Sequence, residues 1–127
     1  MSDWKYFTEN ELRCSGTGDC HMDKNFMFKL NKLREDYNKP MIVSSGYRDI
    51  SYNTAIGGSP NSAHTYGKAV DIVTGGTEAY RLLRLAVIHG FQGIGVSQRG
   101  NFERRFIHLD TMEDSNKHPR PWVWSYK

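Results

Sequence analysis

The sequence predicts a single domain that mixes helices with strands, and three observations lead to that reading. The 127 residues suffice to bury one core and are too few to divide into two independent ones. Apolar residues recur at helical spacing in two stretches and as short β-branched runs in four others. Two of those runs are joined by a polar turn containing glycine, the arrangement of an antiparallel hairpin. The domain is taken to be the whole chain, 1–127.

The elements follow in order. Thr8 and Glu11 have capping-box spacing, which satisfies free amides at a helix start and predicts a short first helix. A longer helix should run from Asp23 toward Tyr37, because Phe26, Leu30, Leu33 and Tyr37 share one stripe and Asn38 and Pro40 then stop it. MIVSS, positions 41–45, lies between Pro40 and Gly46 and reads as a buried strand. A helical turn or two is expected from Asp49 to Ile56, before the loop GGSPNS that leads to His64. KAVDIV reads as a strand, and TEAYRLLRLAVIHG as a helix with Thr77 as N-cap and Gly90 as its stop. FQGIGVS and RRFIHLD are the hairpin strands, with their turn between Gln98 and Asn101. The tail ends in PRPWVWSYK, and the chain shows no internal repeat and no linker.

Composition narrows the function. With 38% hydrophobic and 24% charged residues, and no low-complexity tract, the chain should fold and not remain disordered. Lys and Arg exceed Asp and Glu by 17 to 14, a slight lean toward anionic surfaces such as cell walls or nucleic acid. A nucleic-acid reader would be more basic, and Arg104 and Arg105 near the hairpin come with no basic helix or stacking platform, so no nucleic-acid partner is expected. No apolar window reaches a membrane span, and MSDWKYFTEN lacks the basic start and apolar run of a secretion signal. The expectation is a soluble chain with no membrane partner, reaching an extracellular target only by release, by loss of a signal, or as part of a larger assembly.

Cys14 and Cys20 bracket SGTGD, a spacing open to a small disulfide loop or to two free thiols, and not the CxxC of a zinc knuckle. His21 beside Cys20 makes a second metal site conceivable, without a further Cys-His pair nearby to complete it.

Two segments carry the chemistry. SAHTYGKAVDI, positions 62–72, and FIHLD, positions 106–110, together offer His64, Asp71, His108 and Asp110. Two imidazoles and a carboxylate are the donor set of a catalytic zinc, with a fourth position left open. A loop histidine followed seven positions later by a strand aspartate can fold back across Gly67. His108 and Asp110 share one face of a strand, so Asp110 could orient a ligand or act as the base that takes a proton from water. Arg48 in SSGYR is a candidate for binding a carboxylate or polarising a carbonyl, with a surface ion pair as its plain alternative. Trp122 and Trp124 could wall a cleft, although alternating aromatics more often pack. His89, at a helix end, and His118, in a charged turn, are set aside as ligands.

SAHTYGKAVDI resembles the SxHxxGxAxD signature of the zinc D-alanyl-D-alanine carboxypeptidases and L-alanoyl-D-glutamate endopeptidases, which share their metal site with lysostaphin and hedgehog domains. The resemblance extends through IVSSGYR, NTAIGGSPNSAH, GFQGIGV and FIHLD, and FTENELRCSGTG and MDKNFMFKLNKLRE are similar to the compact branch found in phage and bacterial proteins. It implies an α+β fold, a small antiparallel sheet with packed helices. It implies a single bound Zn2+ held by His64, Asp71 and His108, and Arg48 as the arginine that binds substrate or stabilises an oxyanion. The implied reaction is hydrolysis of an amide bond in peptidoglycan stem peptides, as a murein carboxypeptidase or endolysin-like endopeptidase, with a monomer expected. Many relatives carry an acidic base three residues before the last histidine ligand, where this chain has Arg105. That leaves Asp110 as first candidate for the catalytic base and Glu103 as second, and it opens an alternative, a zinc-stabilised wall-binding or phage structural module without catalysis.

Overall fold

The computed structural model describes residues 4–126. Thr8 caps α1 (Glu9–Leu12) through the expected reciprocal pair: the Glu11 amide donates to Thr8 Oγ1 and the Thr8 amide to Glu11 Oε1. In α2 (Lys24–Tyr37), Asp23 accepts from the Phe26 amide at 2.9 Å, and Asn38 closes the helix in the left-handed conformation at φ 58. The stripe Phe26, Leu30, Leu33 and Tyr37 is buried as its spacing requires. Next come β1 (Ile42–Ser45), α3 (Ile50–Ala55), a 3-10 turn (Ala63–Tyr66) and β2 (Ala69–Val73). The chain ends with α4 (Gly76–Ile88), β3 (Gly93–Ser97), a 3-10 turn (Phe102–Arg104), β4 (Phe106–Asp110) and β5 (Trp122–Ser125).

The class is α+β, built on one five-stranded sheet in the order β1-β2-β4-β3-β5. Strands β1 to β4 pair antiparallel, whereas β5 pairs parallel with β3, so the sheet is mixed and not wholly antiparallel. The fifth strand comes from the tail, where alternation in WVWSY marks an edge strand reached by a crossover. Two further readings need correction. Strand β1 is an edge with Ile42 63% exposed, because only β2 pairs with it, so its β-branched run does not mark burial. Helix α4 is capped by Gly75 and not Thr77: the Gly75-Gly76 pair turns the chain from β2 straight into the helix, which places Thr77 in the first turn.

Strand alternation separates core from site. Val70 and Ile72 on β2, Ile107 and Leu109 on β4, and Ile94 on β3 join Phe26, Leu30, Leu33 and Leu82 in one buried cluster between sheet and helices. Each such side chain contributes about 1.5–3 kcal/mol by leaving water. The intervening positions, Asp71 on β2, His108 and Asp110 on β4, and Gly93 and Gly95 on β3, point to the other face. Register then aligns Ser45, Asp71, His108, Gly95 and Trp124 in one row across all five strands.

Cys14 and Cys20 are free thiols. Their loop is closed by the backbone, with the Cys14 amide donating to the Asp19 carbonyl at 2.7 Å. Among the described residues no helix is long and apolar enough to cross a membrane.

Candidate metal centre

His64 stands on the 3-10 turn between α3 and β2. Ser62 opens this turn by accepting from the His64 amide, and Gly67 closes it at φ 69. Gly67 is required here twice over, by its positive φ and because a Cβ at this position would lie 1.9 Å from the His21 carbonyl oxygen. The preceding loop is tied by buried Asn53, whose Nδ2 donates to the Ser59 carbonyl and whose Oδ1 accepts from Arg48.

The three residues expected to bind metal meet: one donor atom from each of His64, Asp71 and His108 lies within 4.8 Å of the others, and all three residues are buried. His64 Nδ1 is 2.7 Å from the Gly46 carbonyl. A carbonyl only accepts, so Nδ1 carries the proton. Burial pushes the His64 pKa down and outweighs the pull of Asp71, so the ring is neutral and Nε2 holds a lone pair. That lone pair faces Asp71 Oδ1 at 3.2 Å, so two acceptors are turned toward each other. A cation placed there satisfies both, which is the fit a metal requires.

His108 presents Nδ1 to the same Asp71 oxygen at 3.0 Å and Nε2 to Asp110 Oδ2 at 2.7 Å. Burial pushes its pKa down, but the hydrogen bonds to Asp110 and Asp71 more than offset this and the net shift is upward. Burial would raise Asp71, yet the hydrogen bond from His108 holds its carboxyl well below the usual range. Asp110 is likewise held down, at about 2, by His108 and Arg120 against the effect of burial.

The other predicted residues fall in different places. Arg48 joins the centre: its Nη2 is 3.9 Å from Asp71 Oδ2, while Nε donates to Ser45 Oγ and Nη1 to Asn53 Oδ1. Asp110 lies behind His108, fully buried. Its Oδ1 accepts from Arg120 Nε at 2.9 Å and from the Met112 amide at 3.2 Å, and its Oδ2 accepts from Arg120 Nη2 at 2.7 Å. Glu103 is exposed on the turn before β4, outside the cleft lining, and Arg105 turns away to donate to the Gly100 carbonyl.

An open cleft of about 610 Å³ covers the centre, walled on the far side by Lys117, His118, Trp122, Trp124 and Tyr126. Trp124 lies 5.1 Å, ring centre to ring centre, from His108. Both tryptophans therefore line the cleft, and His118 stands at its wall with Nε2 donating to the Asn61 carbonyl. Composition and motif spacing missed Asn53, Arg120 and Tyr126. The alternating aromatics of the tail were the available signal for the last. Gly93 and Gly95 make the room: a Cβ on Gly95 would lie 2.6 Å from Trp124 Nε1 and 2.7 Å from the Tyr126 oxygen. His21 packs edge-on against Tyr47, and among the described residues no second metal-binding group forms around it. A larger hollow, about 710 Å³, lies between Trp4, Phe28 and Tyr66, away from this chemistry.

A mixed sheet carries Asp71 and His108 on its open face, the adjoining 3-10 turn brings His64 to them, and residues 5–110 match the family model described as Peptidase M15. The chain belongs to the Peptidase M15 family. It is 38% identical over 69 residues to a zinc D-Ala-D-Ala carboxypeptidase of Streptomyces albus G, an alignment covering 54% of this chain. The matched stretch is 27% of that protein's length.

Proposed function

We propose that this chain is a zinc peptidase that hydrolyses an amide bond in the peptide part of bacterial peptidoglycan. The observation that carries this reading is the convergence of His64 Nε2, Asp71 and His108 Nδ1, with the other nitrogen of each ring already engaged by Gly46 or Asp110. Zinc held there supplies Lewis acidity toward a carbonyl oxygen and water. The chain's own groups bind and orient. Arg48, held by Ser45 and Asn53, offers its guanidinium to a substrate carboxylate or to developing negative charge on the scissile carbonyl. Trp122, Trp124 and Tyr126 form a wall for an extended peptide. Asp110 orients His108 and does not serve as the base, since both its oxygens are already engaged by His108, Arg120 and the Met112 amide. The Streptomyces albus G relative supports D-alanine-terminated peptides as the substrate class.

One observation favours a second reading, a wall-binding or phage structural module that keeps the metal and has lost catalysis. Position 105 is Arg, Glu103 lies outside the cleft, and the two carboxylates that line it, Asp71 and Asp110, are both committed. Mass spectrometry of peptidoglycan digested by the zinc-loaded protein, with and without chelator, separates the two. Chelator-sensitive fragments that vanish with His64→Ala establish the peptidase. Tight wall binding without fragments, at one zinc per chain, establishes the module. A His64→Ala variant that cuts at the wild-type rate would show the ligand assignment to be wrong.

A further inference from the structure

The segment from Thr111 onward lies beyond the residues matched to the family, yet it completes the metal centre. His108 stands between two carboxylates, Asp71 at 3.0 Å and Asp110 at 2.7 Å. Asp110 is 0% exposed, so its charge has no water to lean on. Arg120 supplies the compensation in two-point form, Nε to Oδ1 at 2.9 Å and Nη2 to Oδ2 at 2.7 Å. A fork of this kind fixes the plane of the carboxylate as well as its charge.

Arg120 is itself seated. Its amide donates to Asp114 Oδ1, its Nη1 to the Pro119 carbonyl, and its guanidinium lies 5.2 Å from the Trp124 ring centre. Opposite Asp110 in the sheet stands Gly93, where a Cβ would come within 2.0 Å of Asp110 Oδ1 and 2.5 Å of Arg120 Nε. The strand is bare at this point, and the clamp occupies the space.

We propose that Arg120 is a positioning residue of the metal centre. By pinning Asp110, it holds the His108 ring with Nε2–H directed at Asp110 and Nδ1 presented beside Asp71. The inference rests on reading His64, Asp71 and His108 as the metal site.

The test uses the full chain and zinc alone as the probe, with affinity measured by chelator competition and the His108 ring nitrogens followed by NMR in the zinc-bound protein. Arg120→Ala should weaken zinc binding by about 10- to 100-fold, the usual effect of losing a group that orients a ligand. Arg120→Lys keeps the charge and loses the fork, so it should fall between. Gly93→Ala leaves both clamp residues in the sequence and pushes them apart, so it should reproduce the defect if Arg120→Ala fails to fold. A fall in affinity accompanied by altered His108 ring signals, with His64 signals unchanged, supports the clamp. Wild-type affinity in Arg120→Lys and Gly93→Ala, or lost affinity with unaltered His108 signals, overturns it. If the wild-type chain binds no zinc, the metal reading fails and takes this inference with it.

Discussion

Replacing Gly67 by alanine should damage the centre more than an identical change at another left-handed glycine. Gly67 has φ +69, which costs a non-glycine residue roughly 1–2 kcal/mol. The new Cβ would also lie 1.9 Å from the His21 carbonyl oxygen and 3.0 Å from His21 C and Met22 Cα, all backbone atoms that cannot rotate aside. The segment from His21 to Asp23 must therefore move by about 1 Å, an overpacking cost of typically 1–3 kcal/mol. The strain spreads both ways, since the Gly67 carbonyl accepts from Asp23, the cap of α2, and its amide donates to the His64 carbonyl. We expect Gly67→Ala to lose roughly 2–5 kcal/mol and to weaken zinc binding. Gly100→Ala is the control: φ is +80, and nothing lies within 4 Å of its Cβ. It should pay only the backbone cost of roughly 1–2 kcal/mol. Urea unfolding gives both free energies and chelator competition gives the affinities. Equal losses in the two variants would refute the close contact between the signature loop and His21.

Three further outcomes are expected. Leu30→Ala, at a fully buried position on α2, should cost about 2–5 kcal/mol in urea unfolding with the site chemistry unchanged. Arg48→Ala should lower kcat/KM by about 10²- to 10³-fold at unaltered zinc affinity, and full activity in that variant would remove Arg48 from the chemistry. Tyr37, Tyr47 and Tyr126 are pushed up to about 12, by burial first, with the hydrogen bonds the first two donate to the Glu78 and Asp49 carboxylates adding to it. The fold favours their neutral form, so the stability they contribute is full below the ordinary value of 10 and is lost as pH rises through about 12. Tyrosinate absorbance should still be rising as the pH approaches 12, and a titration complete near pH 10 would contradict the burial described.

Local rules carried much of the fold. The capping pair Thr8 and Glu11, the cap at Asp23 and the stripe from Phe26 to Tyr37 are short-range signals, and each produced the element it implied. The three candidate metal donors were legible because His64 and Asp71 sit in one motif and His108 in another. What stayed hidden depends on register. The row Ser45, Asp71, His108, Gly95, Trp124 exists only once five strands align, and no window of sequence contains it. The same limit applied to Asp110: alternation showed that it shares a face with His108, but only Arg120 from the crossover showed which way its oxygens are engaged. Strand β1 misled because β-branched residues suit an edge as well as a centre.

The sheet ends in two unlike edges, with consequences for how the protein behaves at high concentration. At β1 the register shifts between Val43 and Ser45, a bulge that spoils the edge as a template for another chain. Strand β5 has no such irregularity in its pairing with β3, and its sequence WVWS carries no charge. Trp122 and Val123 on it are 55% and 66% exposed. Association in storage should therefore begin edge to edge at β5. Val123 alternates with Trp124 and points away from the cleft face, so Val123→Lys should raise the solubility limit while zinc affinity stays as it was. The strand that walls the candidate metal centre is thus also an unpaired edge of the sheet among the described residues.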